Sequence, residues 1–204
     1  MYRFPLSRLV LLLLVLSSVL SGHCQAQQGN AKTEPTGEKP PASQSAQYQP
    51  MDSIRASLDV VYTTRGDREL KCDIFRPATA DKLPAIVIVH GGGWINGDKT
   101  RFRALAQAMA TRGYVTASIE YRLAGEALFP AAIHDCFSAV RFLRKKAVDW
   151  NIDSNRIGAV GGSAGGHLVA LMATAANVPQ LHATGEKGDA SVQWAMAMAG
   201  PCEL

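Results

Sequence analysis

A chain of 204 residues, 47% apolar and 19% charged, holds enough apolar surface for one globular core, which excludes disorder throughout. Its formal charge of +4 shrinks once Arg3 and Arg8 are set aside with the N-terminal leader, leaving 19 basic residues against 17 acidic ones. The basic triplet Arg144-Lys145-Lys146 lies on an expected helix and reads as a solvated face, so no nucleic-acid partner is expected.

The chain opens with Arg3 and Arg8, then an apolar run from Leu9 to Leu16 that continues to Leu20. This pattern predicts a secretory signal peptide over residues 1–26, cut after Ala26. The run falls short of the roughly 20 apolar residues of a spanning helix, so no stable membrane span is expected after cleavage. The expected location is secreted or periplasmic. Lipid anchoring at Cys24 is the alternative: Leu20-Ser21-Gly22 is lipobox-like, although His23 interrupts the pattern. Residues 27–51 are rich in Gln, Pro, Ser, Thr, Gly and Lys and predict a disordered linker, with the folded domain over 52–204. Cys72, Cys136 and Cys202 show no metal-ligand spacing and read as small buried hydrophobes, so neither metal nor cofactor is expected.

Within the domain, residues 58–63 and 69–75 alternate apolar and polar side chains around Arg65-Gly66-Asp67. They predict a half-exposed hairpin at one sheet edge. Residues 85–89 are all apolar, as in a strand covered on both faces. Phe102, Leu105, Met109 and Ala110 follow at helical spacing and stop at Gly113, and residues 114–121 resume as strand. Ile133, Phe137, Val140 and Leu143 mark a second helix with Pro130 in its first turn. A strand over 155–160, a helix over 164–175 and a strand over 192–198 complete the alternation. The fold class is therefore α/β, with a doubly wound, mainly parallel sheet whose ligands sit at the carboxyl ends of its strands.

Two motifs stand at those ends. Gly161-Gly162-Ser163-Ala164-Gly165 joins a strand to a helix, where a strained turn pushes a serine hydroxyl outward and needs tiny neighbours. Alone it is a weak signal, and a helix-capping Ser163 is the competing reading. His90-Gly91-Gly92-Gly93-Trp94 follows the first parallel strand, and its glycines free backbone N–H groups to face one oxygen. Its first four residues should arise by chance only about 0.003 times in a chain of this composition, so the pair is a strong signal. A phosphate cradle is disfavoured, because no Gly-Lys-Ser/Thr and no Gly-x-Gly-x-x-Gly opens a helix after the first parallel strand.

With Gly97-Asp98-Lys99, Glu120-Tyr121-Arg122-Leu123-Ala124, Phe129-Pro130-Ala131-Ala132 and Gly166-His167-Leu168, these motifs resemble the hormone-sensitive-lipase and BD-type feruloyl-esterase-like group of α/β-hydrolases over residues 55–204. The resemblance implies Ser163 as nucleophile, with the N–H groups of Gly92, Gly93 and Ala164 lining an oxyanion hole. It implies that His90, Gly91 and Trp94 shape the loop, and that the partner is a small-molecule or polysaccharide-linked ester. Gly125 and Gly162 depart from the group, which usually has Pro and often Glu or Asp there, and leave acyl specificity open.

The group's order is Ser, then Asp or Glu, then His, and the last two are expected beyond residue 204, with the last strands. His182 lies in a polar loop, His167 is expected to pack by hydrogen bonding, and His134-Asp135 reads as a charge arrangement at a helix start. Glu203 could stand at the acid position but has no histidine to orient. The chain alone is thus expected to be nearly inactive. A prolyl-oligopeptidase-type peptidase and a non-catalytic binding protein of the same fold remain as rival readings.

Overall fold

The computed structural model describes residues 53–201. The expected leader and linker, together with Cys202 and Glu203, lie outside the described residues. The chain divides into Met1–Ala42 and Ser43–Leu204, and every described residue belongs to the second unit.

Strands β1 (Ile54–Arg65) and β2 (Arg68–Pro77) form the expected antiparallel hairpin, turned at Gly66 with φ of 57°. The sheet continues through β3 (Leu83–Val89), β4 (Val115–Ile119), β5 (Ile152–Gly162) and β6 (Trp194–Met198) in the order β1-β2-β4-β3-β5-β6. β3 pairs in parallel with both β4 and β5, and β5 with β6. The alternating pattern of β1 suits an edge. β2 differs from the half-exposed strand expected, because it lies inside the sheet between β1 and β4. Its Leu70, Cys72 and Ile74 enter one core and Phe75 the other, so both of its faces are covered.

β3 shows why an unbroken apolar run was needed. Ala85, Val87 and Val89 point into the larger core, against Ile133, Phe137, Val140 and Leu143 of α2 (Ala131–Lys145) and Leu168 and Met172 of α3 (Ala164–Thr174). Ile86 and Ile88 point the other way, against Ala106 and Ala110 of α1 (Arg103–Ala110). Each fully buried Val or Ile of the strand contributes about 1.5–3 kcal/mol, so both faces hold it at the centre of the sheet. This is the expected doubly wound arrangement.

Three local expectations are corrected. Phe102 closes a short 3-10 turn, Lys99–Phe102, capped by Asp98, whose carboxylate accepts from Thr100 N at 2.7 Å; the α-helix starts one residue later. Pro130 sits at the N-cap of α2 rather than in its first turn, a place equally free of any need for its missing N–H. Asp135 is not a charge at a helix start but a fully buried carboxylate that pairs with Arg65 at 3.0 Å and Arg122 at 2.8 Å. It ties the end of β1 and the loop after β4 to α2.

Candidate active site

β5 runs directly into α3 through Ser163, which adopts φ 54° and ψ −121°. Such a backbone is costly for a residue with a Cβ and persists only where its surroundings hold it. They do so here by close approach of three segments. A Cβ on Gly161 would overlap Gly165 O, and one on Gly165 would overlap Val89 O and lie 2.6 Å from His90 O. The end of β3, the end of β5 and the start of α3 therefore meet backbone to backbone. Ser163 N–H donates to Met198 O at 2.8 Å, which ties the turn to β6 as well.

Ser163 is exposed. It stands at the N-cap position of α3, yet its side chain makes no capping bond, which removes the capping reading. Its hydroxyl has no hydrogen-bond partner among the described residues.

The glycine loop after β3 lies against this turn. A Cβ on Gly91 would stand 2.5 Å from Gly162 O and 3.1 Å from Ser163 Cβ. Gly92, Gly93 and Trp94 all carry positive φ, at 137°, 62° and 60°. Gly92 O accepts from Ile95 N at 3.2 Å and Asn96 N at 3.1 Å, which folds the loop back on itself. The N–H groups of Gly92, Gly93 and Ala164 have no acceptor among the described residues. Ala164 also opens α3, so the positive end of the helix dipole faces the same place.

His90 is buried and its Nδ1 lies 2.9 Å from Gly91 O. Its ring stacks on Tyr121, with centroids 4.3 Å apart, and the Tyr121 hydroxyl donates to His90 O at 3.0 Å. Burial holds the imidazole below its usual pKa, so the ring is neutral near neutral pH.

The remaining histidines are placed as follows. His182 has both ring nitrogens engaged, Nδ1 at 2.7 Å from Arg141 Nη2 and Nε2 at 2.8 Å from Ala176 O, and so braces its loop. His134 Nε2 lies 3.3 Å from Gln180 O. His167 does not hydrogen-bond as expected: its Nδ1 is buried without a partner, and its ring packs edge-on against Trp94 at 5.4 Å. Burial lowers its pKa also.

Trp94 and His167 line a cavity of about 410 Å³ together with Arg122, Phe129, Leu168 and Leu171. The sequence pointed to Trp94 but not to this cavity, which is assembled from segments far apart in the chain. No cluster of potential metal ligands occurs among the described residues, and no helix among them is long and apolar enough to cross a membrane.

Known proteins resemble this chain in sequence and in fold. Esterase LipQ of Mycobacterium tuberculosis is 36% identical over 143 residues, covering 68% of this chain and 34% of that protein. An arylesterase of Saccharolobus solfataricus is 33% identical over 138 residues, covering 67% of this chain and 45% of that protein. The apo form of Thermogutta terrifontis esterase 2 superposes with a TM-score of 0.62 at 33% identity, covering 72% of this chain and 55% of that one. The chain spans about a third of the length of the first curated relatives it matches. The BD-FAE family model matches residues 72–204, which takes in both glycine motifs and the sheet from Cys72 of β2 onward. On the strength of that match and of the doubly wound sheet beneath the two motifs, the chain belongs to the BD-FAE family of α/β-hydrolases.

Proposed function

We propose that the site hydrolyses carboxylic esters through an acyl intermediate on Ser163. The observation that supports this reading is the contact of the Gly91 segment with the turn of an exposed Ser163, in company with three N–H groups, of Gly92, Gly93 and Ala164, that have no acceptor among the described residues. In this reading Ser163 Oγ attacks the ester carbonyl carbon. The carbonyl oxygen takes the electron pair, and the N–H groups of Gly92, Gly93 and Ala164 meet the charge as it develops. Collapse of the intermediate expels the alcohol, which leaves with a proton, and water then releases the acid from the serine.

The serine needs a base to take its proton, and no side chain among residues 53–201 hydrogen-bonds it. In this reading acid and base come from outside the described residues. Loss of triad members leaves only about 10³ to 10⁴ over water, supplied by oxyanion hole and binding. No metal or cofactor takes part in this chemistry. Relatives named as an esterase and an arylesterase support an ester substrate. The leader and linker expected from the sequence place the domain, residues 52–204, outside the cytoplasm, where small esters or polysaccharide-linked esters are within reach.

Labelling with a fluorophosphonate, mapped by mass spectrometry in a form of the protein that contains the acid and base, tests the proposal. Modification at Ser163 that disappears in Ser163→Ala, with turnover of p-nitrophenyl acetate above that of an aminoacyl-proline substrate, is the expected outcome. A preference for the aminoacyl-proline substrate would indicate a peptidase, and a serine that resists the probe would indicate a binding protein.

A further inference from the structure

The cavity beside Trp94 combines apolar walls with polar groups of one kind. Trp94, Phe129, Leu168 and Leu171 supply most of the wall, and Arg122 and His167 are its polar side chains. Arg122 uses Nε and Nη2 on the Asp135 carboxylate at 2.8 Å and 2.8 Å, and Nη2 reaches Ala131 O at 3.2 Å. Its Nη1, with two N–H groups, has no described partner and is not among the buried, unpartnered atoms. His167 presents a similar case. Its Nδ1 is sealed off without a partner, whereas Nε2 is open and equally unpaired. A buried lone pair without a donor is tolerated better than a buried N–H without an acceptor, which puts the ring proton on Nε2. The polar side chains of the cavity thus offer donors and no acceptor.

We infer that this cavity is a specificity subsite for esters whose cavity-bound part is an apolar group ending in an oxygen acceptor, a carbonyl or a carboxylate, met by Arg122 Nη1 and His167 Nε2. This rests on the ester-hydrolase reading of Ser163, which lies one helical turn from His167: His167 N–H donates to Ser163 O at 3.0 Å. Its volume of about 410 Å³ suits part of a small ester, since pockets for small ligands span about 300–1,000 Å³. An alkyl end would cover both donors without pairing them, and a site built around hydrogen-bond donors rejects such a ligand strongly. Asp135 holds the Arg122 guanidinium as a fixed fork, so Nη1 is oriented before any ligand arrives.

The test needs binding, not turnover. The full chain is titrated with monomethyl glutarate, with the isostere in which a methyl ketone replaces the carboxylate, and with the isostere in which an isopropyl group replaces it. The Trp94 indole N–H resonance, assigned with Trp94→Phe, reports occupancy. Both oxygen-ended ligands should bind about tenfold or more tightly than the isopropyl compound, because charge-assisted hydrogen bonds replace none. A further gain for the carboxylate over the ketone would assign the larger share to the Arg122 charge, and equal binding would assign it to hydrogen bonding alone. His167→Phe keeps the wall apolar and should shrink the preference several-fold while the fold survives. Tighter or equal binding of the isopropyl compound, or a Trp94 resonance unmoved by all three, would overturn the inference. The same titration in Ser163→Ala, set beside fluorophosphonate labelling of the unsubstituted protein, separates the two readings: an intact order of affinities with Ser163 unlabelled in the unsubstituted protein strikes the hydrolase alone, and a labelled Ser163 with an inverted order strikes the subsite alone.

Discussion

His90 Nδ1 stands 2.9 Å from the carbonyl oxygen of Gly91, the residue that follows it. A carbonyl only accepts, so Nδ1 carries the proton and the unpartnered Nε2 is a bare lone pair. In a planar trans peptide the N–H points opposite to the C=O. By drawing Gly91 O toward itself, the imidazole turns the Gly92 N–H the other way, to the side where the proposed oxyanion would form.

His90→Leu removes that tether while filling a similar volume in the stack on Tyr121. The rate of fluorophosphonate labelling at Ser163 should fall by about 10² or more, the scale of losing one oxyanion donor, with a small change in Tm. His90→Asn, whose amide nitrogen can take the place of Nδ1, should recover much of the rate. Equal rates in Leu and Asn variants would show that the tether does nothing for the site.

Acid should weaken the fold through the buried ring of His90 and the half-buried ring of His167. Burial holds both His90 and His167 below the imidazole value of about 6.5 that they regain on unfolding. The unfolded chain therefore takes up protons first, so the stability these rings contribute is fully present above about pH 6.5 and is lost as pH falls through the folded values. Thermal melts across that window should show a decline that is smaller in a His90→Leu, His167→Phe double variant. A decline of the same size in both proteins would assign the acid sensitivity elsewhere.

Two glycines near the site should behave in opposite ways. A Cβ on Gly165 meets backbone oxygens of Val89 and His90, which cannot swing aside. Gly165→Ala should cost about 2–3 kcal/mol or more and lower Tm by roughly 5–10 °C. Gly125 has nothing within 4 Å of its would-be Cβ and no positive φ, so Gly125→Ala should leave Tm nearly unchanged. A tolerated Gly165→Ala would mean that the three segments do not pack as closely as described.

The two kinds of glycine also mark what could be read before any coordinates. Strand, turn and helix around Ser163 were readable because their signals are local: an apolar run, three small residues, a helical stripe. The full burial of β2 and the cavity beside Trp94 were not, since each depends on which segments become neighbours. Asp135 is the sharpest case, since its place beside His134 suggested a charge arrangement at a helix start, while its partner Arg65 lies 70 residues away and leaves no trace in the local pattern. His167 failed for the same reason: the feature that decides its role, the Trp94 ring, comes from a different loop.

Asp135 is also where a single atom exchange should do most harm. Its carboxylate is fully buried and receives Arg65 Nε at 3.0 Å, Arg122 Nε at 2.8 Å and Arg122 N at 3.0 Å. Asp135→Asn keeps the shape but removes the charge, leaving Arg122 uncompensated and Arg65 with Glu186 alone. Breaking a buried pair in this way costs about 3–5 kcal/mol, because the surviving charge stays out of water. Asp149→Asn breaks an ion pair of similar length, 2.9 Å to Lys146, but both partners are well exposed and the expected loss is at most about 1 kcal/mol. Urea unfolding of the two variants should therefore separate them by several-fold in destabilisation. Asp135→Asn should also weaken binding of oxygen-ended ligands beside Trp94, since Arg122 loses the partner that orients it. Equal and small losses in both variants would show that the carboxylate at position 135 is hydrated and that the arginine fork is not held from behind.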